Sequence, residues 1–128
     1  MLSDVPVLLS GISAGVILFQ TAIIAPSVFI GLGPDHAGPF LRKVFPKFFI
    51  LLAIIGIVTT VTAVTSGSSD QIWIGLATFV LASISYLLIP RTNKSRDEGN
   101  EKSFKRLHNA SVSMTVAMLI INLLSAVI

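Results

Sequence analysis

The sequence predicts an all-α integral membrane protein, a bundle of four transmembrane helices, and three observations carry that prediction. Four apolar segments, at residues 5–31, 47–66, 71–90 and 104–128, each approach the roughly twenty residues needed to cross about 30 Å of hydrocarbon at about 1.5 Å per residue. Hydrophobic residues make up 53% of the 128 and charged residues only 12%, too little polar surface to solvate a globular domain. All nine Lys and Arg flank the first and third connections: Arg42, Lys43 and Lys47, then Arg91, Lys94, Arg96, Lys102, Lys105 and Arg106. Short basic connections stay in the cytoplasm. The expected protein is therefore N-out and C-out in a bacterial inner membrane, with its basic connections inside.

The 128 residues read as one domain. A formal charge of +3 would suit nucleic acid, but the cations abut membrane ends. There they orient helices and meet anionic headgroups, so Arg42, Lys43, Lys47, Lys105 and Arg106 are assigned to lipid and nucleic acid is excluded as a partner. The first segment is too long for a secretory signal and lacks a basic n-region and a small-residue cleavage site, which predicts an uncleaved anchor. The absence of Cys removes disulfides, thiolate metal sites and cysteine nucleophiles together.

Helix one opens at Asp4, a capping type, with Pro6 in the first turn. Gly11 and Gly15 have the small-xxx-small spacing of close helix contact, which favours packing inside the bundle over a dimer face. The ring of Pro26 conflicts with the carbonyl of Ala22, so the helix should kink there or end at Gly31 and Gly33. The first connection, residues 33–47, reads as a short amphipathic helix: Asp35 for a cap, Phe40, Val44 and Phe48 on one side, Arg42, Lys43 and Lys47 on the other. Pro46 marks a bend into helix two. Residues 67–70 form a short outer turn that makes helices two and three antiparallel neighbours, and Trp73 occupies the outer rim of helix three. Pro90 closes that helix. Residues 91–102 are hydrophilic and of mixed charge, which predicts a mobile connection.

The sharpest pattern lies in helix four. His108, Ser111, Thr115, Met118, Asn122 and Ser125 alternate steps of three and four, which stacks them on one face. Helix one repeats the spacing with Ser10, Ser13, Ile17, Gln20, Ile24 and Ser27, helix two with Gly56, Thr59, Ala63 and Ser66, and helix three with Gly75, Thr78, Ala82 and Ser85. An unpaired amide or hydroxyl in hydrocarbon is unfavourable, so the four stripes should meet at the bundle axis as a seam of interhelical hydrogen bonds. The favoured reading of the seam is packing. The alternative is a ligand site built on Gln20 and His108, with Ser111, Thr115 and Asn122 behind them. Every acid lies in a connection or at a terminus, so a carboxylate proton relay across the membrane has no parts.

His108 offers an imidazole for proton transfer, a metal or haem iron, although its place beside Lys105 and Arg106 favours a headgroup contact. Met114 and Met118 stand one turn apart, as a pair of thioethers on Cu(I) would, yet apolar helices use methionine far more often for packing. No nucleophile with a base, no glycine-rich phosphate loop and no zinc spacing is present, which points away from an enzyme and toward no cofactor, with haem or copper as the alternatives.

Three stretches carry a family likeness: Gly15 to Phe29 with its Phe19-Gln20 and Ala25-Pro26 pairs, Ala37-Gly38 followed by Phe45-Pro46-Lys47-Phe48-Phe49, and Arg106-Leu107-His108-Asn109-Ala110-Ser111. Together they resemble the transmembrane protein 205-like family, four-helix membrane domains of unknown function, one mammalian member of which is associated with platinum-drug resistance. More distantly the layout is similar to copper-resistance D proteins and to the haem-binding bacterial protoporphyrinogen oxidase, from which this chain departs by having Gln20 and no histidine in helix one. The resemblance implies a membrane bundle without an assigned reaction. The expected function is that of a non-enzymatic accessory, assembly or resistance factor contacting lipid, other membrane proteins or a second copy through helix one. The alternative is a haem- or metal-binding redox or transport protein using His108 and Gln20.

Overall fold

The computed structural model describes residues 4–128. The first span is built from α1 (Val5–Leu18), a π-helical turn (Phe19–Ile24) and α2 (Ala25–Leu32); α3 (Pro34–Ser66), α4 (Ser69–Asp97) and α5 (Glu101–Leu124) are the other three. All four spans are long and apolar enough to cross a membrane, and the described residues contain no strand. The chain is a four-helix bundle.

Helix α3 has 33 residues and α4 has 29, about 50 and 43 Å at 1.5 Å per residue, well beyond a hydrocarbon layer of about 30 Å. The surplus lies at the end that carries the basic residues. The helix expected over residues 33–47 does form, but it runs without a break into the second span, with Pro39 and Pro46 inside it. Gly33, at φ 74°, supplies the turn before it, and Asp35 sits in its first turn without a side-chain capping bond. Each proline removes one backbone hydrogen bond and collides with the carbonyl four residues back. Outside the hydrocarbon, water satisfies those carbonyls.

Pro90 likewise lies inside α4 and does not close it. The extension it leads into is held by α3 on one side and α5 on the other, and residues 91–102 form helix and turn in place of the expected loop. Arg42 donates two hydrogen bonds to Asp97, at 2.6 and 3.2 Å. The Ser95 and Ser103 hydroxyls are 2.9 Å apart, and the Arg96 guanidinium lies 5.2 Å from the centre of the Phe104 ring. The helix stops at Gly99, whose φ of 72° only glycine adopts cheaply, with Asn100 N–H donating to the Ser95 carbonyl at 2.9 Å. Asn100 then caps α5 by accepting from the Ser103 N–H at 3.1 Å.

At the opposite end Gly67, φ 72°, closes α3 in the same way, with Ser68 N–H donating to the Ala63 carbonyl at 3.0 Å. Helices α3 and α4 then pack backbone to backbone. A Cβ at Gly56 would lie 2.8 Å from the Phe79 nitrogen and 2.9 Å from the Gly75 carbonyl oxygen. A Cβ at Gly75 would collide with Thr60. The apolar core sits deeper toward the basic end, where Ile17, Phe48, Phe49, Leu52, Ala82 and Met118 are buried against one another.

Gly11 and Gly15 are not part of such a contact. Both are exposed, and a Cβ at either would meet nothing within 4 Å. One helix face cannot bury both the glycines and the Ser10, Ser13, Ile17 stripe, and the hydroxyls lose more in hydrocarbon, so the polar stripe turns inward and the glycines outward.

Candidate functional site

The seam forms over most of its length. Ser10, Ser13, Ile17 and Gln20 of the first span, Gly56, Thr59 and Ala63 of α3, Gly75, Thr78, Ala82 and Ser85 of α4, and Thr115, Met118, Asn122 and Ser125 of α5 are buried. Asn122 Nδ2 donates to Thr78 Oγ1 at 2.9 Å and to the Met118 carbonyl at 2.8 Å. Ser125 Oγ donates to Gln71 Oε1 at 2.7 Å, so Gln71 joins the seam although sequence spacing left it out. It lies four residues before Gly75 on the α4 stripe, which is the signal that would have included it. Thr59, Thr78 and Thr115 each donate to the carbonyl one turn back; for Thr115 that carbonyl belongs to Ser111, which is half-buried.

His108 is not in the seam. It is exposed on α5, its ring stacked on Phe104 with centroids 5.6 Å apart and planes at 14°. Among the described residues α5 packs against Val5–Leu18 and not against the rest of the first span, so His108 and Gln20 are not brought together. Met118 is fully buried in the core, and Met114 Sδ accepts a hydrogen bond from Ser85 Oγ at 3.8 Å. The two thioethers are engaged in packing, a poor fit to a copper site. No cluster of three or more His, Cys, Asp or Glu that could hold a metal occurs among the described residues. Of the five headgroup cations, Arg42 is diverted to Asp97. That pairing holds the exposed Asp97 carboxyl below its ordinary range. Lys43, Lys47, Lys105 and Arg106 are exposed.

The geometry nearest to a site surrounds Gln20. Pro26 has no N–H to return to the preceding turn, and the chain responds by widening: Ala25 N–H donates to the Gln20 carbonyl, five residues back. The extra residue advances the face of the helix, so that Ser27 is exposed although it continues the spacing of Ser10, Ser13, Ile17 and Gln20. Helices α1 and α2 both pack on α3, whereas the π turn between them does not. It arches away.

Beneath the arch an open groove separates the first span from α3, walled by Val16, Phe19 and Ile24 on one side and Val44, Phe48 and Leu51 on the other. Gly15 and Gln20 line it, and Lys43 and Lys47 stand at its basic end. Gln20 is only 6% exposed, yet its Nε2 has no hydrogen-bond partner; the Ser10 and Ser13 hydroxyls, farther along the same stripe, are also unpartnered. Elsewhere along the seam Asn122 and Ser125 bond across helices, and among the described residues the unpartnered buried groups all lie on the first span.

A bundle of four spanning helices with a polar axis and a sideways-facing groove defines an integral membrane protein. The model of a family described as a domain of unknown function, DUF4149, matches residues 8–101, and the chain belongs to that family. The match takes in the first three spans and the arch. Neither a curated protein nor a solved structure matches the chain.

Proposed function

We propose that this protein is a non-enzymatic accessory factor, serving assembly or resistance, that acts through contacts made sideways within the membrane. The observation that carries this reading is the arch. At the axis Asn122 and Ser125 bond across helices, while the buried donor of Gln20, on the same stripe as the unpartnered Ser10 and Ser13 hydroxyls, is left free beside an open groove. The resemblance of Gly15 to Phe29 to transmembrane protein 205-like proteins supports the same reading, since that stretch forms one wall, and Phe48 of the similar stretch Phe45 to Phe49 stands on the other. The positive-inside rule supports a cytoplasmic position for the groove's basic end in a bacterial inner membrane.

Two measurements on the purified full-length chain test the proposal. A visible spectrum with metal analysis in mild detergent should show neither haem nor copper in stoichiometric amount; either one would replace the accessory reading with a redox one. The chain has no native Cys, so single replacements report topology cleanly. Ser69→Cys should react with a membrane-impermeant thiol reagent in intact cells and Glu98→Cys should not, and the reverse pattern would invert the orientation.

A further inference from the structure

We infer that the groove beneath the π turn is a binding site for one anionic glycerophospholipid, drawn from the leaflet at the basic end. The inference rests on the accessory reading above and names the molecule contacted. Three independent features converge on this chemistry. The walls are apolar and open sideways, as an acyl chain entering from the bilayer requires. Lys43 and Lys47 are one helical turn apart on α3 at the mouth, both exposed and neither in an ion pair among the described residues, so two ammonium groups are free for one phosphate. Of the acids at that end, Asp97 is taken by Arg42 and Glu98 faces Lys94, while Asp35 and Glu101 are exposed and form no ion pair with either lysine among the described residues.

The third feature is Gln20. A buried amide donor without a partner is unfavourable in hydrocarbon. An acceptor arriving with the ligand would remove that penalty. The ester carbonyl of a glycerophospholipid lies just inside its phosphate, so a lipid whose phosphate meets Lys43 and Lys47 carries an acceptor into the groove that Gln20 lines. A second copy of the chain would have to bring one of its six acids, all near helix ends, to the two lysines, whereas the phosphate is part of the lipid itself. Charge therefore favours the lipid.

The test is a count of bound lipid by native mass spectrometry on the full-length chain in mild detergent, titrated with phosphatidylglycerol or with phosphatidylcholine. One phosphatidylglycerol should be retained in preference to phosphatidylcholine. Lys43→Gln and Lys47→Gln should each reduce that preference roughly fivefold, the effect of one cation near anionic lipid. Gln20→Leu should weaken retention of both lipids. Gly15→Leu should abolish it by filling the groove, with thermal stability kept because a Cβ there meets nothing within 4 Å. Val61→Leu, on an exposed apolar face elsewhere, should change nothing.

Equal retention of the two lipids, or unchanged retention in Gly15→Leu, would overturn the inference. So would a Gly15→Leu variant that loses dimer mass instead of lipid, which would assign the groove to a second copy. The visible spectrum of the same preparation keeps the two proposals apart. A haem band with lipid preference intact removes the accessory reading alone, and a colourless protein without lipid preference removes this inference alone.

Discussion

The α3–α4 hairpin and the first span use the same small residues to opposite ends. In the hairpin, Gly56 and Gly75 let two backbones touch, with Thr60 Oγ1 donating to the Gly56 carbonyl at 2.8 Å where the helices cross. In the first span, Gly11 and Gly15 have the better-known spacing and touch nothing. The difference lies in what is opposite. Each hairpin glycine belongs to a stripe of small residues that meets another such stripe, whereas the glycines of helix one lie off the stripe that faces the bundle. Spacing identifies a smooth helix face, and only a complementary partner makes that face a contact.

The largest expected effect breaks this comparison directly. Gly56→Ala places a Cβ against the backbone of α4, where no side chain can move aside, and overpacking of this kind costs about 1 to 3 kcal/mol. Gly75→Leu should cost more, because it meets both Thr60 and the α3 backbone. Gly15→Leu should stay within about 0.5 kcal/mol of the parent, the range of ordinary surface changes. Unfolding in mild detergent measures all three, and equal losses for Gly56→Ala and Gly15→Leu would show that the two regions do not differ.

A smaller effect separates the bonded part of the seam from the unbonded part. Asn122→Leu removes the bonds to Thr78 and to the Met118 carbonyl and should cost between the average for interhelical bonds in membranes, about 0.6 kcal/mol, and their maximum, about 1.7 kcal/mol. Ser10→Ala and Ser13→Ala remove hydroxyls that have no partner and should be neutral or stabilising. A loss from either serine as large as that from Asn122 would mean that the first span is tied into the seam after all.

Pro26→Ala tests the arch with still less change in stability, since membrane helices accommodate proline readily. Restoring the N–H should let residues 19–24 return to an ordinary α-helix. Hydrogen exchange over that stretch should slow, and lipid retention should fall. Unchanged exchange would mean that Pro26 does not cause the π turn.

Much of the bundle was legible in the sequence because apolar length and three-four spacing express burial directly. The stripes on helices two, three and four are buried over most of their length, including the Asn122 and Ser125 positions, with Ser66 and Ser111 half-buried. Legibility failed where the backbone departs from regular geometry. A π turn adds one residue and shifts every later position, so Ser27 leaves the stripe. Pro46 read as a bend and Pro90 as a stop, yet α3 and α4 pass through them, and ion-pair and hydroxyl contacts hold the extensions. The stop at Gly99 and restart at Asn100 were visible as a glycine followed by a capping residue, obscured by the mixed charges around them. His108 continues the helix-four spacing, but beyond the depth at which spacing implies burial. The groove could not be read at all, because it exists where two elements fail to touch.

The smallest expected effect concerns the clamp that ends both long helices. The Arg42 guanidinium lowers the Asp97 carboxyl, and a carboxyl lowered on folding adds stability that is present above its ordinary range near pH 4 and is lost as pH falls through its folded value. Asp97 is fully exposed, so the surrounding water screens the pair heavily. Asp97→Asn should therefore leave global unfolding almost unchanged at neutral pH and remove the difference between neutral and acidic pH in the protection factors of residues 91–97. In the parent, the protection of that stretch relative to its intrinsic exchange rate should fall only as pH drops beneath the ordinary carboxyl range, about pH 4, while protection at the α3–α4 contact of Gly56 and Gly75 should not respond. Acid sensitivity that spreads to the glycine contact would mean that the charged clamp, and not the backbone packing, holds the hairpin together.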